Sequence, residues 1–310
     1  STYMSQYNGS LGTVTVTGSG STWNSTYEVN LGGAEGNYNA TGILTIADDG
    51  LVNINNGNRN LNVAKSAGST GTLNIGAAEG DAAVAAGSLQ AKNVVFGAGD
   101  GTLVFNHTET DYTFAPSISG NGGVHQLAGT TILSGSNSWS GSTLVEGGIL
   151  RAGAAGALSA NAAYTVNGGT LDLNDFDLSM SELSGTGGTI DLGSAALSVG
   201  SGNTFTNFAG LIEGTGSLEK TGTGELTLTG MNSYTGGTTI SGGALEGTTS
   251  SLTGDIVNNA TLAFTQAFDG IFGGVISGTG NLVKSGSGVV TMTGANSYTG
   301  GTTISGGVLE

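Results

Sequence analysis

Residues Gly210 to Glu246 read GLIEGTGSLEKTGTGELTLTGMNSYTGGTTISGGALE, and residues Gly274 to Glu310 read GVISGTGNLVKSGSGVVTMTGANSYTGGTTISGGVLE. The offset is 64, and 26 of the 37 positions are identical. A more divergent copy, ISGNGGVHQLAGTTILSGSNSWSGSTLVEGGIL, runs from Ile118 to Leu150. Its Asn137, Trp139, Gly147 and Gly148 match Asn232, Tyr234, Gly242 and Gly243 of the second copy, and Asn296, Tyr298, Gly306 and Gly307 of the third. Self-similarity at a fixed period is the mark of a chain built from stacked supersecondary units.

Inside each copy, short apolar/polar alternations such as Leu226 to Thr229 and Thr238 to Ser241 read as half-buried strands. Gly-Gly and Gly-Thr-Gly separate them and supply the turns. Similar runs recur outside the copies, at Gly42 to Ile46, Leu51 to Ile54, Leu61 to Val63 and Thr72 to Ile75. No helical face is sustained anywhere. The Ala-rich stretch from Ala152 to Ala163 is interrupted by Gly153 and Gly156 and reads as a loop or a single helical turn.

An antiparallel sandwich, a barrel and a coil of parallel strands all fit such spacing. The sequential repeat, the scarcity of two-residue Asn-Gly hairpin turns and the low charge favour the coil. Charged residues are 9% of the 310, against about 25% in ordinary soluble domains. Strands stacked at about 4.8 Å tolerate like residues above one another only when those residues are uncharged. The expectation is an all-β, right-handed parallel β-helix (a solenoid) of about 14 coils, with 64 residues making about three coils of ~21. It divides into irregular coils over 1–115 and repeat-bearing coils over 116–310, as one continuous solenoid. Leu, Ile, Val and Ala would fill its axis. Asn232 and Asn296 would belong to asparagine ladders at turns, their side-chain amides bonding to backbone, and Tyr234 and Tyr298 would stack on a face or plug a core corner.

Composition excludes several functions. Net charge is −16, and the only basic side chains are Arg59, Lys65, Lys92, Arg151, Lys220 and Lys284, too scattered for a nucleic-acid or anionic-lipid surface. No run approaches the ~20 apolar residues of a membrane helix, so no membrane insertion is expected of this segment. No signal peptide is visible at Ser1, and the last residue falls in phase with the repeat, as in a mature segment of a longer chain.

The pattern NSYTGGTTISGG, followed by an apolar residue and Leu and preceded by GTGxLxKxGxG and a Thr-rich strand, resembles the passenger-associated transport repeat of bacterial autotransporter passenger domains. The resemblance implies a surface-displayed or secreted β-helix of a Gram-negative cell. In the whole protein such a segment is held through an outer-membrane barrel not contained in this sequence. It also implies a role in adhesion or self-association, including cell aggregation and biofilm, with the protein itself or a host or matrix surface as partner. A passive stalk or fibre subunit is the alternative, and a polysaccharide-acting β-helix enzyme a more remote one.

The sequence holds no catalytic, cofactor-binding or metal motif. His107 and His125 stand in no nucleophile or zinc pattern, and their sharpest reading, ligand or general base for His125, competes with that of an ordinary strand residue. Asp48 and Asp49 near Arg59 and Lys65 are what a lyase would use. Asp172, Asp175 and Asp177 form the densest acidic run, but turn capping explains them without calcium. The glycines of Gly214-Thr215-Gly216 and Gly278-Thr279-Gly280 precede no helix and are turns, not phosphate loops. The expectation is a protein that is not an enzyme and carries no cofactor.

Overall fold

The computed structural model describes residues 1–33 and 39–310. Among them there is no helix, and so none long and apolar enough to cross a membrane. The chain forms two compact units, 1–162 and 163–310, each a parallel β-helix whose described strands pair in parallel.

In the first unit three columns of strands alternate along the chain. One runs Thr2–Met4, Val29–Leu31, Leu61–Val63, Asn93–Phe96, Ser117–Gly120 and Ser138–Trp139. The second runs Leu11–Thr17, Thr41–Ala47, Thr70–Gly76, Asp100–Asn106, Gly123–Ala128 and Ser142–Val145. The third begins with Thr22–Ser25, Leu51–Ile54 and Ser88–Gln90 and is taken up further on by Tyr112–Phe114, Thr130–Leu133 and Ile149–Ala152. A strand thus finds its partner one winding later, which satisfies its backbone groups above and below.

Alternation sets what is buried. Strand Thr41–Ala47 hides every second side chain, and Leu44, Leu73, Leu103 and Val124 fall in register as one inward column. All four are fully buried. Each such aliphatic side chain contributes about 1.5–3 kcal/mol relative to exposure.

Winding length is not uniform. Leu11 pairs with Thr41, Thr41 with Thr70 and Thr70 with Asp100, so these windings take 29 or 30 residues. Thereafter Thr102 pairs with Gly123 and Val124 with Thr143, and the winding tightens to 21 and then 19. Extra residues enter as excursions such as 77–87, which the sheet leaves and rejoins.

The second unit corrects the expected phase of the repeat. Leu218, Thr238, Ile256 and Ile276 stand in one column, so three windings take 58 residues, not 64. Leu282, the counterpart of Leu218, stands in the neighbouring column with Leu226, Leu245 and Leu262. The repeat therefore advances three windings plus one face, and its copies present the same residues on different sides.

Candidate functional site

The repeat builds one local device three times. Asn137 accepts a hydrogen bond from the Ile118 amide of the winding before (2.6 Å) and donates to the Ala157 carbonyl of the winding after (2.6 Å). Asn232 does the same between Ile212 (2.9 Å) and Ser251 (2.7 Å), and Asn296 accepts from Ile276 (2.8 Å). The partners are backbone groups of adjoining windings, so each amide is a clip across windings and not a rung of a ladder of asparagines.

Two residues on, the aromatic ring folds inward. Trp139 Nε1 donates to Thr143 Oγ1 (2.9 Å), and the hydroxyls of Tyr234 and Tyr298 lie 2.7 and 2.8 Å from those of Thr238 and Thr302. The threonines explain the rings. Thr143 pairs with Val124, Thr238 with Leu218 and Thr302 with Leu282, so each occupies a place in an inward aliphatic column. Thr143 and Thr238 are buried there, so their hydroxyls need a partner, and the aromatic side chain four residues earlier supplies it; Thr302 is exposed and makes the same contact without that need. Burial pushes the Tyr234 phenol up to about 12, so it is protonated at any ordinary pH.

The Gly-Gly pair closes the device. Gly148, Gly243 and Gly307 have φ of 63°, 65° and 66°, and a Cβ at any of them would collide with the carbonyl of Gly129, Gly224 or Gly288 in the preceding winding. In all three sites the asparagine, the aromatic ring and the second glycine of the pair make their contacts within the coil itself.

Two elements were not legible as functional groups. Lys220 and Lys284 are buried, facing into the columns between Val199 and Ile240 and between Phe264 and Ile304. Among the described residues their amines donate to backbone carbonyls alone: Thr221 and Gly242 for Lys220, and Ser285, Gly286 and Gly306 for Lys284. Burial lowers the pKa of Lys220, partly offset by Glu225. The recurrence of lysine at one repeat position in a chain with six basic residues was the available signal.

The second is a line of three side chains. His107 Nε2 lies 2.8 Å from Thr131 Oγ1, and Nδ1 lies 3.2 Å from Glu109 Oε2. Carboxylate, imidazole and hydroxyl in this order resemble a nucleophile relay. Both His107 and Thr131 are 0% exposed, however, so no substrate reaches the hydroxyl. Glu109 instead accepts the Ala86 amide with both oxygens (3.0 and 2.9 Å), tying the 77–87 excursion down.

The remaining acids and the other histidine have local roles. Asp48 and Asp49 adopt left-handed φ of 48° and 63°, and Thr17 donates to Asp48 (2.8 Å). Among the described residues no ion pair joins them to Arg59 or Lys65. Asp172 accepts from Asn174 N (2.8 Å) as a turn cap, whereas Asp175 and Asp177 accept from Ser194 N (2.7 Å) and Ala196 N (2.8 Å) of the next winding, ties between windings and not the expected local caps. Among the described residues no group of three or more acids, histidines or cysteines is gathered as a metal site would be. His125 Nδ1 meets Glu79 Oε2 at 3.2 Å.

Three stretches, 128–152, 218–246 and 282–310, match the model of the passenger-associated-transport-repeat family. Over 219 residues the chain is 35% identical to the adhesin BmaC autotransporter of Brucella suis biovar 1 (strain 1330), covering 68% of this chain and 5% of that protein. Over 145 residues it is 39% identical to the uncharacterized lipoprotein YdeK of Escherichia coli (strain K12), covering 43% of this chain and 11% of that protein. The chain thus spans a small part of the curated relatives it matches. No solved structure matches it.

Proposed function

Because this chain is a segment of an autotransporter passenger domain, displayed at the cell surface or secreted, we propose that it acts in adhesion or self-association. The observation that carries this reading is an uncharged polar face in the first unit. On the sheet of Thr22–Ser25, Leu51–Ile54 and Ser88–Gln90, residues Asn24, Asn53 and Gln90 fall in register on the outer side. Asn53 already donates to Asn24 (2.9 Å). Thr22, Leu51 and Ser88 form the row beside them. Amides and hydroxyls at rung spacing present donors and acceptors in a regular array, which pairs with the same array on a second molecule. Each contact is weak, and length and copy number on a cell add them up. The Brucella relative is named an adhesin, which supports the same reading. No catalytic role is part of it.

Sedimentation velocity over a concentration series tests the proposal, together with settling of cells that display the chain. Concentration-dependent dimers are expected, at least tenfold weaker in Asn53→Lys, which sets an ammonium in the middle of the row. A monomer at all concentrations, with no cell aggregation, overturns self-association and leaves the passive stalk.

A further inference from the structure

The first unit carries a cleft of about 250 Å³ on the outer side of its central sheet. Its floor is two rows set by register. Ile43, Thr72 and Thr102 form one, and Thr45, Asn74, Val104 and His125 form the other. Ala78 and Glu79, at the start of the 77–87 excursion, form its wall. This wall is fixed: Asn106 Nδ2 donates to the carbonyls of Ala78 and Asp81 (2.9 Å each), and Glu79 reaches His125 in strand Gly123–Ala128, two strands along the same sheet.

One side chain of the floor is incomplete. Asn74 is 2% exposed and donates through Nδ2 to Thr45 Oγ1 (3.0 Å), while its Oδ1 has no partner. A buried amide oxygen without a donor is costly. Turning the amide over only exchanges which end is left unpaired. A hydroxyl answers either case, because it both donates and accepts. With a single side-chain bond holding it, the amide can re-pair with a group lodged beside it.

The lining selects further. Ile43 and Ala78 present C–H surface, Thr72 and Thr102 present hydroxyls, and among the described residues that line the cleft Glu79 is the charged one. Among the described residues no lysine or arginine lines the cleft, which disfavours carboxylated or sulfated ligands. A pyranose combines a C–H face with a rim of hydroxyls, and one ring matches the space.

We infer that this cleft binds a neutral sugar residue of a glycan, with Asn74 and Glu79 as the recognising groups and Ile43 and Ala78 against the ring. The site stands apart from the amide face proposed for self-association, and its occupancy is read on the monomer.

The test uses the purified chain with methyl β-galactopyranoside, methyl α-mannopyranoside and methyl N-acetyl-β-glucosaminide, followed by saturation-transfer NMR and titration, with a methyl sialoside as the anionic comparison. At least one neutral glycoside is expected to saturate in the millimolar range. Glu79→Gln should weaken it about tenfold by removing a charged acceptor. Ala78→Trp, which fills the cleft from the wall, should abolish it. Circular dichroism confirms that both variants keep the β-helix. The inference is overturned if no neutral glycoside saturates, if Ala78→Trp binds as well as the parent chain, or if the sialoside binds as tightly as the best neutral sugar.

Discussion

Gln126 and Lys220 hold the same place in two copies of the repeat with different chemistry. Each faces into a buried column, Gln126 between Phe105 and Val145, and Lys220 between Val199 and Ile240. Each gives its side-chain nitrogen to turn carbonyls, Ala128 and Gly129 in one case and Thr221 and Gly242 in the other. What the position requires is a donor that reaches the turn, not a positive charge.

Lys220→Gln should therefore be tolerated within about 1 kcal/mol, whereas Lys220→Met leaves the two carbonyls unserved and should cost about 1–3 kcal/mol. Urea midpoints of the two variants, measured side by side, check this. Equal loss in both would make the charge the requirement.

Tyr234 and Thr238 form a coupled pair. Tyr234→Phe strands the buried Thr238 hydroxyl and should cost about 1–2 kcal/mol. Thr238→Val strands the phenol to a similar degree. The double variant replaces both partners by apolar groups of similar shape, so it should be more stable than the two single losses predict. A double-mutant cycle measures this coupling directly. A strictly additive result would mean that the hydroxyls do not serve one another.

How far the sequence revealed this molecule follows from the same residues. Alternation in Leu226 to Thr229 and the turn glycines were enough for parallel winding, because burial of every second side chain is a local pattern. The phase of the repeat was not legible. It depends on how many residues each turn absorbs, and Leu218 and Leu282 look equivalent until their pairing partners are known. The role of Asn232 was half legible: turn asparagines bind backbone, but only the register shows that the two bonds go to different windings. The His107–Thr131 contact and the Asn74 cleft gave no motif, since each joins residues brought together by stacking 24 to 30 positions apart.

The asparagine clips should rank by the number of windings they join. Asn232→Ala leaves Ile212 N and Ser251 O without their partner, a loss of about 1–3 kcal/mol for each buried group. Among the described residues Asn296→Ala frees Ile276 N alone. Asn232→Ala should therefore lower the thermal midpoint more than Asn296→Ala, and Asn137→Ala, with two partners, should resemble Asn232→Ala. A larger effect at Asn296 would contradict the account of the clip as a tie across windings.

His107 makes the first unit sensitive to acid. Burial lowers its pKa from the ordinary 6.5, with the Glu109 carboxylate opposing the shift in part. The folded chain therefore keeps the imidazole neutral at a pH where the unfolded chain has already taken up a proton. Above about pH 6.5 both states are neutral at this site and the residue adds no pH dependence. As pH falls below about 6.5, protons favour the unfolded state, and stability declines until the folded pKa is reached. His107→Gln, which keeps a polar side chain beside Thr131 but does not titrate, should flatten this part of the curve whatever its effect on stability at neutral pH. Urea midpoints of the two proteins from about pH 8 to about pH 5 test it. The same downward slope in both would assign the acid sensitivity to carboxylates and not to His107.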